Sequence, residues 1–272
     1  MAGSRHGVGW VRVRGRARVG AAYMTVGLYT VAAPFGCVLA TGLGFVWRRD
    51  PLRRAQRLQR ITSSAYRLMH NWLRFWHICH FDYRDALPGL PEGAFVVVAN
   101  HPTLMDITSI SAALGRGFTV VKGELYRRAL LRPFLEGAGH VAAADGDPLS
   151  AQRVVNEAVA RLREGHPMIV FPEGTRSFAD RLRPFGRTAF EVACRAEVPV
   201  VSVGVECEPM YLSKEVTVFR PPDPTAQLRL ALIAIDHPRD VGFDSRALLA
   251  RVEGRYGPWL ARRRLATLEA RP

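Results

Sequence analysis

The stretch Val96–Asp106 reads VVVANHPTLMD. It completes a continuous apolar, β-branched run from Ala94 to Ala99, the pattern of a strand buried on both faces. Asn100, His101 and Pro102 follow, and Asp106 stands five residues past the histidine. Pro102 suits the first position of a helix. Five residues along one continuous helix subtend about 140°, so there His101 and Asp106 would not share a face. They meet if His101 stays in the strand-to-helix turn and Asp106 lies near the first helical turn. Strand ends in open α/β sheets are also where ligands bind. Asp106 would then accept a hydrogen bond from one ring nitrogen and leave the other free to remove a proton. No Ser or Cys occupies a GxSxG elbow, so the pair is expected to activate a substrate hydroxyl rather than a nucleophile of the chain. Taken alone, a His and an Asp at this spacing are often capping or core residues.

Strands alternate with helices downstream of Phe81. Further strands are expected at Phe118–Val121, His140–Ala144, Pro167–Phe171, Val198–Val205, Glu215–Phe219 and Leu228–Ile235. Helices are expected at Ser150–Glu164, capped by Ser150, at Arg187–Ala196 and at Asp244–Arg263, with Glu124–Phe134 helical or irregular. This order predicts an α/β fold with a central, largely parallel sheet flanked by helices.

Upstream the composition differs. Of 272 residues 48% are hydrophobic and the formal net charge is +14, carried by 36 Arg and two Lys. Such charge implies an anionic partner: nucleic acid, an anionic membrane face or phosphorylated substrates. No nucleic-acid motif is present, and the charge is concentrated in the N-terminal arm and helix, so no nucleic-acid partner is expected. Residues 1–19 are read as a disordered basic arm, and Met24 offers an alternative start. Gly20–Trp47 lacks any charge but is broken at Pro34-Phe35-Gly36. With arginines at both ends it suits two half-helices that dip into a bilayer and return. Leu52–Cys79 is expected to be an amphipathic helix. Its apolar stripe is Leu58, Ile61, Ala65, Leu68, Trp72, Phe75 and Cys79, lying in a membrane interface or packed on the domain. Residues 20–80 are thus expected to be membrane-attachment helices and 81–272 the catalytic domain. The four scattered cysteines show no metal spacing; they are read as reduced thiols in a cytosol-facing protein, and no metal site is expected.

A second block, Phe171-Pro172-Glu173-Gly174-Thr175-Arg176-Ser177, follows another buried strand. Gly174 permits tight backbone geometry. Arg176 offers a planar fork suited to phosphate, Thr175 and Ser177 add donors, and Glu173 can bond a substrate hydroxyl. A polar loop with an internal Glu–Arg pair is the bland alternative.

Together NHPTLMD, of the form NHxxxxD, and FPEGTRS resemble the glycerolipid, or lysophosphatidic acid, acyltransferase family. Val198-Pro199-Val200 resembles that family's later apolar-Pro motif. The resemblance spans about Phe81 to Phe219. It implies transfer of a fatty acyl group from acyl-CoA or acyl-carrier protein, as substrates and with no cofactor, to a lipid hydroxyl. It also implies His101 as general base, Asp106 as its orienting partner, and Glu173, Gly174, Thr175 and Arg176 as binders of the phosphate-bearing acceptor. A membrane-lipid partner and a place on the cytoplasmic face of the inner membrane are expected with it.

One motif departs. Where the family carries a Gly-x-Ile-x-x-x-Arg-like segment, this chain has Gly139 to Asp145, with Asp145 at the arginine position. An acid there would repel a phosphomonoester. Lys122 or Arg153 would have to supply the missing charge, or the acceptor is a different, specialised lipid. A transacylase using a phospholipid donor and an inactive lipid-binding relative are the remaining alternatives.

Overall fold

The computed structural model of the chain describes residues 5–28, 31, 33–44, 49–83, 85–177, 181–214, 216 and 220–269, with side chains described between residues 15 and 262. Among these residues seven strands form one sheet in the order β1-β7-β6-β2-β5-β3-β4. They are β1 (Cys79–Asp82), β2 (Val96–Ala99), β3 (Phe118–Val121), β4 (Val141–Ala142), β5 (Met168–Val170), β6 (Val200–Glu208) and β7 (Ala226–Asp236). Every pairing is parallel except β6 with β7. The α/β class and the largely parallel sheet are therefore as the alternation of elements predicts.

The apolar run in β2 is buried throughout because both sheet faces are covered. Val96 and Val98 enter a core with helices α7 (Pro148–Arg163), α8 (Thr188–Ala196) and α9 (Ser245–Glu269). Val97 and Ala99 enter the opposite core with α3 (Pro51–Phe75) and α4 (Asp106–Leu114). Alternation with period two sends neighbouring side chains to opposite faces. After β2 the chain crosses to β3 through α4. After β5, the neighbour of β2, it crosses through α8 to β6 on the other side. The two connections leave adjacent strands in opposite directions, which opens a crevice at the carboxyl ends of β2 and β5.

Several expectations shift. Asp147, not Ser150, caps α7: its side chain accepts the Ser150 N–H at 2.9 Å. The region expected to be helical or irregular forms two short helices, α5 (Gly123–Tyr126) and α6 (Arg132–Gly137). α3 stops at Phe75, four residues early, because His77 adopts a left-handed φ of 51° and Cys79 begins β1. β1 pairs with β7, nearly 150 residues away, a partner no local pattern announces. The strand expected at Glu215–Phe219 lies outside the described residues except Val216, which is a bend. Upstream, α1 (Arg5–Gly27) runs through the boundary drawn at residue 19, and α2 (Ala33–Gly44) follows the break. Among the described residues no helix is long and apolar enough to cross a membrane.

The stripe read along α3 does not pack on the domain as a unit. Leu58 is buried, but Ile61, Leu68 and Phe75 are exposed, the last two by about 70%. The face turned inward carries Ala55, Leu58, Gln59, Ser63, His70 and Leu73. Its polar members are satisfied in place, as buried polar groups must be. Ser63 donates to Gln59 O, and Gln59 to Ala138 O.

His70 ties α3 to the start of α4. The Thr108 hydroxyl donates to Met105 O at 2.7 Å, so it accepts from His70 Nε2 at 2.9 Å, and His70 Nδ1 accepts from the Tyr83 hydroxyl at 3.1 Å. Burial pulls the His70 pKa down to about 3. The folded protein therefore keeps this ring neutral while the unfolded chain protonates it near its ordinary value of 6.5. Stability from this neutral site is complete above pH 6.5 and is lost as pH falls toward 3. Thermal unfolding followed between pH 7 and 5 is expected to show a falling midpoint, with a shallower fall in His70→Gln. Equal slopes in both proteins would remove His70 from the account.

Candidate active site

The site forms where β2 and β5 end side by side. At the end of β2, Asn100 uses its side-chain amide as an extra ladder rung. Nδ2 donates to Val205 O at 2.9 Å, and Val205 N donates to Oδ1 at 2.7 Å. The Asn100 side chain thus holds the strand end to β6, and the backbone beyond it turns. Asp106, the first residue of α4, is fully buried under this turn. It accepts the Thr103 N–H at 2.7 Å, the Thr103 hydroxyl at 2.5 Å and His101 Nδ1 at 2.7 Å. The turn brings the two side chains together as the helix geometry required. Burial raises the Asp106 pKa, while the bonds from His101 and Thr103 act to lower it.

With Nδ1–H donated to the carboxylate, His101 Nε2 carries the lone pair. The ring is held from its face as well. It stacks on Phe171, centroids 4.2 Å apart and planes 19° apart. The side chain keeps 18% of its surface exposed, enough for a reactant to approach.

The second block is locked to the first. Glu173 Oε1 accepts the His101 N–H at 3.2 Å and the Ser177 hydroxyl proton; Glu173 Oε2 accepts the Arg183 N–H at 2.8 Å. The Ser177 oxygen also accepts the His101 N–H at 2.9 Å, and Ser177 N donates to His101 O at 2.7 Å. Both oxygens of Glu173 are therefore engaged within the chain, Oε1 by two donors and Oε2 by one. Gly174 has φ of +67° and open space where a Cβ would be, so conformation, not crowding, accounts for glycine there. Thr175 is exposed. Arg176 Nη1 donates to the carbonyls of Leu212 and Ser213 at 3.1 and 2.6 Å, which binds the loop after β6 to the site.

Lys122 is exposed just past β3, the neighbour of β5 on this same edge. Adjacent strands lie about 4.8 Å apart, so its backbone stands roughly 10 Å from the line of β2, a distance its long side chain can largely cover. Asp145 follows β4 on this edge and is not alone. Arg127 Nη1 lies 3.1 Å from one of its oxygens, and Arg153 Nη2 4.0 Å from the other. The acid in the arginine position is thus offset by two arginines, of which Arg127 escaped the sequence reading. Phe171, Ser177 and Asn100 also emerge as site-building residues. Phe171 and Ser177 belong to the quoted block, but nothing local indicates that one stacks on and the other bonds a residue some 70 positions away.

The comparisons with known proteins bear on this same region. The acyltransferase family model matches residues 81–206, from β1 into β6. That stretch, just under half of the chain, is similar to the acyltransferase family. Human 1-acyl-sn-glycerol-3-phosphate acyltransferase alpha is 30% identical over 159 residues, 57% of this chain and 56% of that protein. A 1-acyl-sn-glycerol-3-phosphate acyltransferase of Chlamydomonas reinhardtii is 34% identical over 121 residues, 44% and 36% of the two chains. The chain thus spans only about half the length, or less, of these curated relatives. The crystal structure of the 1-acyl-sn-glycerophosphate (LPA) acyltransferase PlsC from Thermotoga maritima matches with a TM-score of 0.63, covering 96% of this chain and 98% of that one. At 22% identity that likeness establishes the fold. His101, Asp106 and the Glu173–Arg176 loop all fall inside the stretch that the acyltransferase model matches.

Proposed function

We propose that this acyltransferase moves a fatty acyl group from an acyl thioester, acyl-CoA or acyl-carrier protein, to a hydroxyl of lysophosphatidic acid or a related lyso-lipid. The observation that carries the reading is the buried Asp106 bonded to His101 Nδ1 at 2.7 Å, which leaves Nε2 available as a base at a partly open strand end. Nε2 takes the acceptor hydroxyl proton as its oxygen attacks the thioester carbonyl; Asp106 stabilises the imidazolium, and the thiolate leaves. An oxyanion needs N–H donors that are not already committed. Those of Thr103, Leu104 and Met105 are bonded to Asp106, Leu212 O and Thr103 Oγ1, and that of Gly174 to Phe171 O. The N–H groups of Thr175 and Arg176 show no partner among the described residues, and the oxyanion role is assigned to that loop. Incubation of the purified protein with labelled acyl-CoA or acyl-carrier protein and lysophosphatidic acid, with mass spectrometry of the product, is the direct test. Absence of any acylated lipid with either donor would sink the proposal.

The acceptor reading favours a phosphate-bearing lipid because Lys122, Arg127 and Arg153 share the edge with Asp145. Asp145→Asn is expected to free Arg127 and lower the KM for lysophosphatidic acid about threefold, with no change for a lyso-lipid lacking a phosphomonoester. An effect on the unphosphorylated acceptor instead would favour the specialised-lipid alternative.

Membrane attachment is supported by the outward apolar residues of α2 and α3, among them Phe35, Leu39, Leu68 and Phe75. Arginines beside an exposed apolar stripe suit a helix lying in an anionic interface. Leu68→Glu with Phe75→Glu is expected to reduce co-sedimentation with phosphatidylglycerol vesicles severalfold, without lowering the unfolding midpoint. Undiminished co-sedimentation would remove this face of α3 from the attachment.

A further inference from the structure

A cavity of about 510 Å³ opens at the sheet edge opposite His101, where β3 and β5 begin. Arg60, Ser64 and Arg67 of α3, Arg116 and His166 line it together with other polar, apolar and glycine residues, and among the described residues no acidic side chain does. Glu164, close by in sequence, is held by Arg161 at 3.0 Å. Helices α4 and α7 both end here, and their C-termini carry partial negative charge. Arg67 answers one of them, donating to Ala112 O through Nε at 3.0 Å and Nη2 at 2.7 Å. The other two arginines are less engaged. Arg60 gives Nε to Gln56 O at 3.4 Å and Arg116 gives Nη2 to Gly93 O at 2.9 Å, which leaves the remaining donors of both forks.

A buried group points to a ligand independently. Gln59 Oε1 accepts the Gly117 N–H at 2.9 Å, so Gln59 Nε2 is the donor to Ala138 O at 2.8 Å and to His166 Nδ1 at 3.2 Å. His166 Nδ1 must then be an acceptor, and the ring proton sits on Nε2. His166 is 2% exposed, and Nε2 has no partner among the described residues. A buried donor left unpaired costs about 1–3 kcal/mol, so its retention beside a basic cavity calls for an acceptor brought from outside.

We propose that this cavity is an anion site for a phosphate-bearing group, gripped by Arg60 and Arg116 and accepting the His166 Nε2–H. Planar guanidinium forks match phosphate oxygens, and the site supplies several converging donors without a competing carboxylate. It lies across the sheet from the edge that carries His101, Lys122 and the Gly174 loop, so it is separate from the proposed acceptor site. The ligand is either free phosphate or a phosphomonoester lipid headgroup presented beside α3.

The test uses the full chain in detergent, titrated calorimetrically with inorganic phosphate at constant ionic strength. Co-sedimentation with phosphatidylcholine vesicles, with and without phosphatidic acid, forms the second arm. Arg60→Gln with Arg116→Gln, both exposed side chains, is expected to weaken phosphate binding, phosphatidic acid-dependent co-sedimentation, or both by about tenfold. Lys122→Ala, at the other edge, should leave that component in place. Loss in the calorimetric arm identifies free phosphate as sufficient, and loss only with vesicles identifies the headgroup. If the double variant matches the unaltered protein in both arms, or if only Lys122→Ala lowers them, the site is not there.

Discussion

His101→Ala is expected to lower kcat/KM for acyl transfer by at least about a thousandfold while leaving the unfolding midpoint within a few degrees. The ring is partly exposed and sits in a turn, so its removal opens no core cavity. The base is lost outright, and neither His70, enclosed between Tyr83 and Thr108, nor His140, which accepts the Thr119 N–H, is free to replace it. Asp106→Asn should approach the same loss by another route. An amide nitrogen facing Nδ1 would favour the tautomer with its proton on Nε2, where it cannot act as base. Rates are to be compared with several donors, and turnover by His101→Ala close to that of the unaltered protein would overturn the assignment of the base.

Glu173→Ala is expected to damage both stability and turnover. The buried carboxylate accepts from His101 N, Ser177 Oγ and Arg183 N, and its removal leaves buried donors short of an acceptor. The cost is about 2–4 kcal/mol, measured by denaturant unfolding. Because the His101 backbone is one of those donors, the base should also shift, and kcat is expected to drop about a hundredfold. Glu173→Gln keeps one acceptor oxygen for His101 and Ser177 but turns an amide toward the Arg183 N–H, so it should recover part of both losses. The split between kcat and KM decides the role. A positioning brace lowers kcat with little change in acceptor KM; a group that binds the acceptor hydroxyl, as the sequence alone suggests, raises the acceptor KM.

The sequence carries the parts of this site that depend on neighbouring residues. A β-branched run buried on both faces, a proline after it and a carboxylate five residues beyond a histidine are local facts. Helix geometry then excludes a shared face on one continuous helix and favours a strand-to-helix turn in which the pair meets. Gly174 is legible for the same reason, because its φ of +67° is a property of one residue. Glu173 was visible as a site residue but not as a brace, because its partners lie 72 positions upstream and 10 downstream. Asp145 looked like a defect in a phosphate site until the fold placed Arg127 and Arg153 against it.

α3 shows where the boundary falls. Apolar spacing correctly announces an amphipathic helix, but it cannot say which face the domain covers. The structure turns Gln59 and His70 inward because the body of the domain supplies their hydrogen-bond partners, and it leaves Leu68 and Phe75 outside. By itself the sequence determined the α/β class, most strand and helix positions and the His101–Asp106 pair, since each follows from periodicity or from residues within one turn of each other. The tertiary structure alone decided the hydrogen-bond partners of Glu173, the surroundings of Asp145, the outward face of α3 and the basic cavity. Each of those depends on which distant segments the sheet order brings together, and pairings across such distances leave no periodic trace in the chain.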